Sequence, residues 1–324
     1  MLHAPHVPSC RQAWLIEIRI MIVTTPTEFL SVWSPERFPA DSAAIARAAF
    51  LVAPLGFSLA AESAGDNAYM QMAAGVDATR ALTEHAALAA ALRECVPTVV
   101  FPGDPATPDA VFPNNVFATA PGRAIVGAMR HAVRRREAER ADLRAFFRDL
   151  LGYEIVDLST NAFVAELTGA LVIDRARGIG FCGLSERCDM NGARAMHAAF
   201  GLKLTFCFDL APGEYHTNVI LASLAGRAAI IAPDGFADPA VAEAIAGVYA
   251  PRVLRISPEQ KAAFAGNAIA LSADSVWMSA RAAASLSAQQ RAQLAGWGFA
   301  LRSVELAEIE KAGGSLRCCI GEIY

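Results

Sequence analysis

The chain has very little lysine. Of its 28 basic residues, only Lys203, Lys261 and Lys311 are not arginine. Charged residues make up 19% of the sequence and the formal net charge is -4. A nucleic-acid partner, which calls for a basic face, is therefore not expected. The seven cysteines (Cys10, Cys95, Cys182, Cys188, Cys207, Cys318 and Cys319) are odd in number and contain no CxxC pair. That excludes a disulfide framework and a structural zinc knuckle, and points to a reducing cytoplasm. No long apolar run is present. The stretch around Trp14 to Val23 is broken by Glu17 and Arg19, is too short to cross a bilayer and lacks the layout of a signal peptide, so no membrane partner is expected. Neither a phosphate-binding loop nor a convincing dinucleotide fingerprint occurs, so no metal and no organic cofactor is expected.

Hydrophobic residues account for 54% of 324 residues, enough for a large core. Residues 1–48 differ from the rest. They carry Pro5, Pro8, Pro26, Pro35 and Pro39 and no sustained period, and they read as an extension of unknown role with Met21 as an alternative start. Residues 49–324 read as one catalytic domain. Within it, apolar runs bounded by Gly, Pro and Asp predict strands at 96–101, 123–127, 170–174, 178–182, 203–208, 218–223, 228–232 and 251–256. Amphipathic runs predict helices at 77–94, 134–151, 190–200, 239–249 and 287–296, the third and fourth following the N-cap candidates Asp189 and Asp238. Strands interleaved with helices read as α/β.

A longer period underlies this rhythm. Asn67, Asn115, Glu166, His216, Asn267 and Cys318 are separated by 48, 51, 50, 51 and 51 residues. Near-equal steps predict five supersecondary units of similar length. Units set in a ring would each bring one polar residue to the axis, and the last would close on the first, placing the Cys318 segment near Asn67. Such a ring leaves no free edge strand.

Three of these positions carry groups for covalent catalysis. Cys318 follows Gly313-Gly314-Ser315-Leu316-Arg317, where paired glycines allow a tight turn or a close backbone approach. Arg317 would favour a thiolate if it pointed inward. Cys319 reads as a bystander on the opposite face. His216, in Glu214-Tyr215-His216-Thr217-Asn218, begins an apolar run with polar neighbours. His85, His131 and His197 instead read as members of solvated faces. Glu166 lies between apolar runs, where a carboxylate needs a partner. A thiol, an imidazole and a carboxylate together supply nucleophile, proton shuttle and orienting group.

With these residues in view, the chain resembles the guanidino-group-modifying enzymes: arginine deiminases, dimethylarginine hydrolases and amidinotransferases. The resemblance rests on Phe112-Pro113-Asn114-Asn115-Val116-Phe117, Glu166-Leu167-Thr168-Gly169, Leu184-Ser185-Glu186-Arg187, His216-Thr217-Asn218 and Gly313 to Cys318. It runs from about Leu51 to Tyr324, and within the superfamily it looks nearest to the citrulline-utilisation hydrolases. It implies a five-bladed α/β-propeller (pentein) of ββαβ units, with Cys318 as nucleophile, His216 as general acid/base and Glu166 holding substrate and histidine. It also implies that Arg187 binds the substrate α-carboxylate, as a guanidinium fork can. Leu167 departs from the glycine common at its place and is expected to narrow the pocket rim.

Asn115 and Asn218 stand where arginine-specific members carry Asp. A guanidinium is a permanent cation best held by carboxylates, whereas a neutral ureido group matches the acceptor and donors of an Asn amide. The expected substrate is therefore citrulline, hydrolysed to ornithine, ammonia and carbon dioxide through a covalent adduct. The alternatives are an arginine or methylarginine hydrolase, a deiminase or an amidinotransferase, and, outside enzymes, a propeller that serves as a binding module. The expected partner is a small amino acid, and a homodimer is the ordinary prior.

Overall fold

The computed structural model describes residues 21–324. Expectations placed on His3, His6, Cys10 and the rest of residues 1–20 lie outside the described residues. The described chain begins with β1 (Ile22–Val23) and the helix Pro26–Val32. That helix starts with a capping box, in which Thr25 and Glu28 satisfy each other's backbone amides.

The repeat predicted from spacing is present as five small sheets. The first contains β2 (Ala48–Val52) and, parallel to it, β3 (Thr98–Phe101). The second is β4 (Phe117–Ala120), β5 (Arg123–Val126) and β6 (Glu154–Asp157). The third holds β7 (Leu171–Asp174), β8 (Ile179–Leu184) and β9 (Leu204–Asp209). The fourth is β10 (Leu221–Leu224), β11 (Ala228–Ile231) and β12 (Val253–Arg255), and the fifth β13 (Ile269–Ser272), β14 (Ser275–Ser279) and β15 (Ala300–Val304). In each of these last four the first two strands are antiparallel, and the third returns parallel to the second after a helical segment. This is the ββαβ unit.

The first sheet is completed from the other end of the chain. β16 (Gly321–Ile323) pairs antiparallel with β2, matching Gly321 to Phe50 and Ile323 to Ala48. Gly321 is required there, because a Cβ would lie 2.2 Å from the Phe50 ring. The ring therefore closes through a pairing between distant parts of the sequence, which leaves β2 no open edge.

Five sheets accommodate five of the six spaced residues. Asn115, Glu166, His216, Asn267 and Cys318 each precede the first strand of a unit, in or beside a short helical turn. Asn67 lies outside the series, in the loop after β2, where its amide reaches the Gly313 carbonyl at 3.4 Å. The proximity of Asn67 to the Cys318 segment is as expected, but the sixth position is not a sixth equivalent one.

Helices Met190–Phe200 and Pro239–Tyr249 start where the capping signals place them, with Asp189 accepting from Gly192 N and Asp238 from Ala240 N. The single helix expected over 134–151 is instead broken. Segments Ala132–Ala138 and Ala141–Ala145 are separated at Arg140, whose backbone is extended, and a wider turn Phe146–Leu150 follows. The strand expected from 218 begins only at Leu221, because Thr217–Ile220 forms a helical turn.

The expected boundary at 48/49 does not divide the packing. β1 adds to the outer edge of the third sheet, parallel to β9. Phe29 is fully buried and stacks on Phe206 with ring centroids 4.8 Å apart. Residues 21–48 are thus part of the body of the molecule. Among the described residues, no helix is long and apolar enough to cross a membrane.

Candidate active site

The turns that precede the inner strands pack against one another. Pro113–Asn115 meets both Leu167–Ala170 and Leu316–Cys319, and Leu167–Ala170 meets Thr217–Ile220. Asn267 completes the circuit: its amide donates to the Asn218 carbonyl at 2.9 Å, and its own carbonyl accepts from Arg317 N at 3.0 Å. All five polar residues of the repeat are buried.

The Cys318 sulfur sits between two amides, with Asn267 Nδ2 at 3.3 Å and Asn218 Nδ2 at 3.7 Å. Asn218 is fixed in turn by donating to the Thr168 carbonyl at 3.1 Å. Arg317 does not contribute as expected. It turns outward to the Ile320 carbonyl and Glu322. Cys319 is buried in the core, and desolvation pushes its thiol well above the ordinary range.

His216 lies fully buried, with Nε2 2.9 Å from Glu166 Oε2. Burial holds the imidazole below its usual pKa, and the adjacent carboxylate only partly offsets this. For Glu166, burial pushes the carboxyl up, but the charge of Arg187, the hydrogen bond from His216 and the charge of Arg134 outweigh it and hold the group ionised. The arrangement is a neutral imidazole donating its Nε2 hydrogen to a carboxylate. Nδ1 is then an acceptor, and it is buried without a partner. Asn115 Oδ1 is likewise unpartnered. Both atoms face Gly169, where a Cβ would come within 2.7 Å of each.

His216 and Cys318 line one small cavity, together with Asn115, Asp109, Arg134 and Arg187. Asp109 takes a hydrogen bond from Ser63 Oγ at 2.6 Å through Oδ2, while its buried Oδ1 has no partner. Burial pushes this carboxyl up, against the pull of Arg134. Arg134 itself is committed to Glu137 at 2.7 Å and to the Phe112 carbonyl at 2.9 Å. Among the described residues no group of three or more His, Cys, Asp or Glu side chains could hold a metal ion.

The profile for eukaryotic N,N-dimethylarginine dimethylhydrolases matches residues 53–324. The chain belongs to that family. Solved structures share the fold at low identity. The substrate-bound N-terminal domain of ArgZ, an arginine dihydrolase from Cyanobacteria, aligns with TM-score 0.73 and 20% identity over 85% of this chain and 97% of that one. Full-length ArgZ aligns with TM-score 0.75 over 85% of this chain but 40% of its own. A dimethylarginine dimethylaminohydrolase adduct with 4-chloro-2-hydroxymethylpyridine aligns with TM-score 0.66 and 20% identity, over 86% of this chain and all of that one. A search of curated protein sequences gives no match.

Within this member of the dimethylarginine hydrolase family, the structure brings Cys318, His216, Glu166, Asn115 and Asn218 together around one centre. Arg187 reaches it as well, but with its fork already occupied by protein groups, chiefly Asp66 and Glu166. Leu167 does not line the rim; it is fully buried in the hydrophobic core beside Ala165 and Ala170. The histidines read as solvated are not solvated. His85 and His197 are buried, and His131 contacts Asp66 at 3.0 Å. Sequence reasoning also missed Asn267 as a contact of the thiol, and Asp66, Asp109 and Arg134 altogether. Asn267 was marked by the repeat; the other three lie outside it and carried no local signal.

Proposed function

We propose that the chain hydrolyses a C–N bond of a guanidino amino acid, arginine or an N-methylated arginine, through a covalent adduct at Cys318. Membership of the dimethylarginine hydrolase family favours a guanidine over the ureido group expected from sequence. The observation that carries the mechanism is the His216 ring, held by Glu166 through Nε2 with Nδ1 left free beside the cavity that Cys318 lines. The thiolate attacks the guanidinium carbon. His216 takes the Cys318 thiol proton at Nδ1 as the thiolate forms, delivers it to the departing ammonia, methylamine or dimethylamine, then takes one from the water that attacks the adduct. The C–S bond breaks, the thiolate is restored and a ureido amino acid leaves. Asp109 and Glu166 supply negative charge for the substrate cation, and Arg187, which lines the same cavity, is the group that would bind a substrate carboxylate.

One observation keeps citrulline as a second reading. The groups touching the sulfur are the amides of Asn218 and Asn267, with Asn115 nearby, and none is a carboxylate. Amides match a neutral ureido group. The decisive experiment offers arginine, monomethylarginine, asymmetric dimethylarginine and citrulline separately and quantifies amine, citrulline and ornithine. Citrulline from a guanidine, absent with Cys318→Ser, is the expected result. Ornithine from citrulline alone would replace the main reading with the second. Full turnover by Cys318→Ser, or no product from any of the four with a folded protein, would overturn both.

A further inference from the structure

Arg187 has five N–H donors, and the protein uses all of its three nitrogens. Nη1 faces Glu166 at 3.2 and 3.4 Å, Nη2 donates to the Ser63 carbonyl at 3.0 Å and to Asp66, and Nε donates to Asp66 Oδ1 at 2.9 Å. The guanidinium is almost fully buried and forms a wall of the cavity that holds Cys318 and His216. Its two partners differ in kind. Glu166 belongs to the catalytic centre and sits in a turn packed on all sides. Ser63, in the short helix Ala61–Ala64, and Asp66 belong to the segment that follows β2, which lines the cavity through Ser63 and Asn67.

We propose that Asp66 is an internal stand-in for the carboxylate of the substrate, and that it sets the selectivity of the site for carboxylate-bearing guanidines. The inference rests on the guanidino amino acid reading above. Glu166 meets only the Nη1 side of Arg187, and the Nε–Nη2 edge of a buried guanidinium left without an acceptor is strongly disfavoured, so that edge needs an anion of its own. In this structure Asp66 is that anion. A substrate with its own carboxylate can displace Asp66 and release Ser63 and its segment without leaving that edge unpaired. A guanidine that lacks a carboxylate cannot make this exchange and leaves Asp66 in place. Asp66 also has other partners to fall back on, since Arg130 Nε lies 3.1 Å and His131 Nε2 3.0 Å from its Oδ2. The displaced aspartate therefore keeps a cationic anchor at the mouth.

Asp66→Asn tests the exchange, with Glu186→Gln as control. Glu186 pairs with Arg130 at the same mouth but does not touch Arg187, so both variants remove one negative charge there. Two readouts are taken on the folded, full-length proteins: the rate at which Cys318 is alkylated by anionic iodoacetate relative to neutral iodoacetamide, and the KM and kcat for arginine relative to agmatine, its decarboxylated analogue. Expected for Asp66→Asn is a rise of about fivefold or more in the iodoacetate-to-iodoacetamide ratio, and a KM for arginine lowered by a similar factor while that for agmatine is not lowered. Glu186→Gln should change neither by more than about twofold. Equal changes in the two variants would reduce the effect to general surface charge and overturn the proposal, as would a weaker arginine interaction in Asp66→Asn, which would make Asp66 a reader of the substrate ammonium. If the alkylation ratio shifts as expected but no guanidine is turned over, the guanidino reading fails and the exchange stands. Asp66→Ser is the second variant should Asp66→Asn fold poorly.

Discussion

A single methyl group is enough to disturb the centre at Gly169. A Cβ there would lie 2.7 Å from both His216 Nδ1 and Asn115 Oδ1. Both atoms must stay free to meet the substrate, so the ring would have to turn away. Gly169→Ala should lower kcat by roughly 10- to 100-fold while leaving the unfolding temperature close to wild type, a split that steady-state kinetics and calorimetry on one sample would show. His85 gives a second prediction at this scale. Its buried Nε2 has no partner, and burial lowers its pKa from 6.5 to about 4. The unfolded chain therefore binds the proton more readily between pH 6.5 and 4, and folding stability rises with pH across that window. His85→Leu should remove up to about 3 kcal/mol of this acid sensitivity in urea titrations at pH 4.5 and 7. An unchanged pH slope would place the sensitivity elsewhere. At the residue scale, Cys318, His216 and Glu166 each carried only a weak local signal and came into view as a set, through their shared spacing and the resemblance. Asp66 and Asp109 were not legible, because a loop aspartate has the same local sequence whether it caps a turn or faces a guanidinium.

Among elements, the helix Pro26–Val32 decides how the residues before β2 are to be regarded. Phe29 fills a slot against Phe206 and Phe181 with no exposure. Phe29→Ala should cost about 3–5 kcal/mol in denaturant unfolding, with KM and kcat near wild type in the folded fraction, because the third sheet's outer edge is far from the thiol. A cost below about 1 kcal/mol would return this segment to the status of a loose appendage. Legibility followed chemistry here too. Helices introduced by Asp189 and Asp238 could be placed to the residue, since a side chain that accepts from the first turn is a local signal. β4 (Phe-Ala-Thr-Ala) and β13 (Ile-Ala-Leu-Ser) went unread, because alanine and serine are poor strand formers and only the surrounding ring makes these segments extended. The proline-rich composition of residues 21–48 concealed a packed segment in the same way, since its order comes from Phe29 and β1 docking on a distant sheet.

The whole molecule depends on one long-range pairing. β16 joins β2, and Tyr324 N donates to Thr119 Oγ1 at 3.0 Å, tying the last unit to the second as well as the first. Removing residues 321–324 leaves Cys318 in the chain but frees its turn. Activity should fall by about 100-fold or more, and β2 should become protease-sensitive, which limited digestion followed by mass spectrometry would detect. Ring architecture was readable from the 50-residue spacing, yet the spacing overcounted by including Asn67, since periodicity marks positions in sequence and not membership of a sheet.

Closure also orders events during synthesis. Glu166, His216, Asn218 and Asn267 all leave the ribosome before Cys318, and β2, already paired with β3, keeps one open edge until β16 follows it out. The nascent chain therefore carries an assembled proton relay without a nucleophile. Its sulfur is held in that surrounding by the pairing of β16 with β2, so a chain in which that pairing has not formed is expected to be chemically silent.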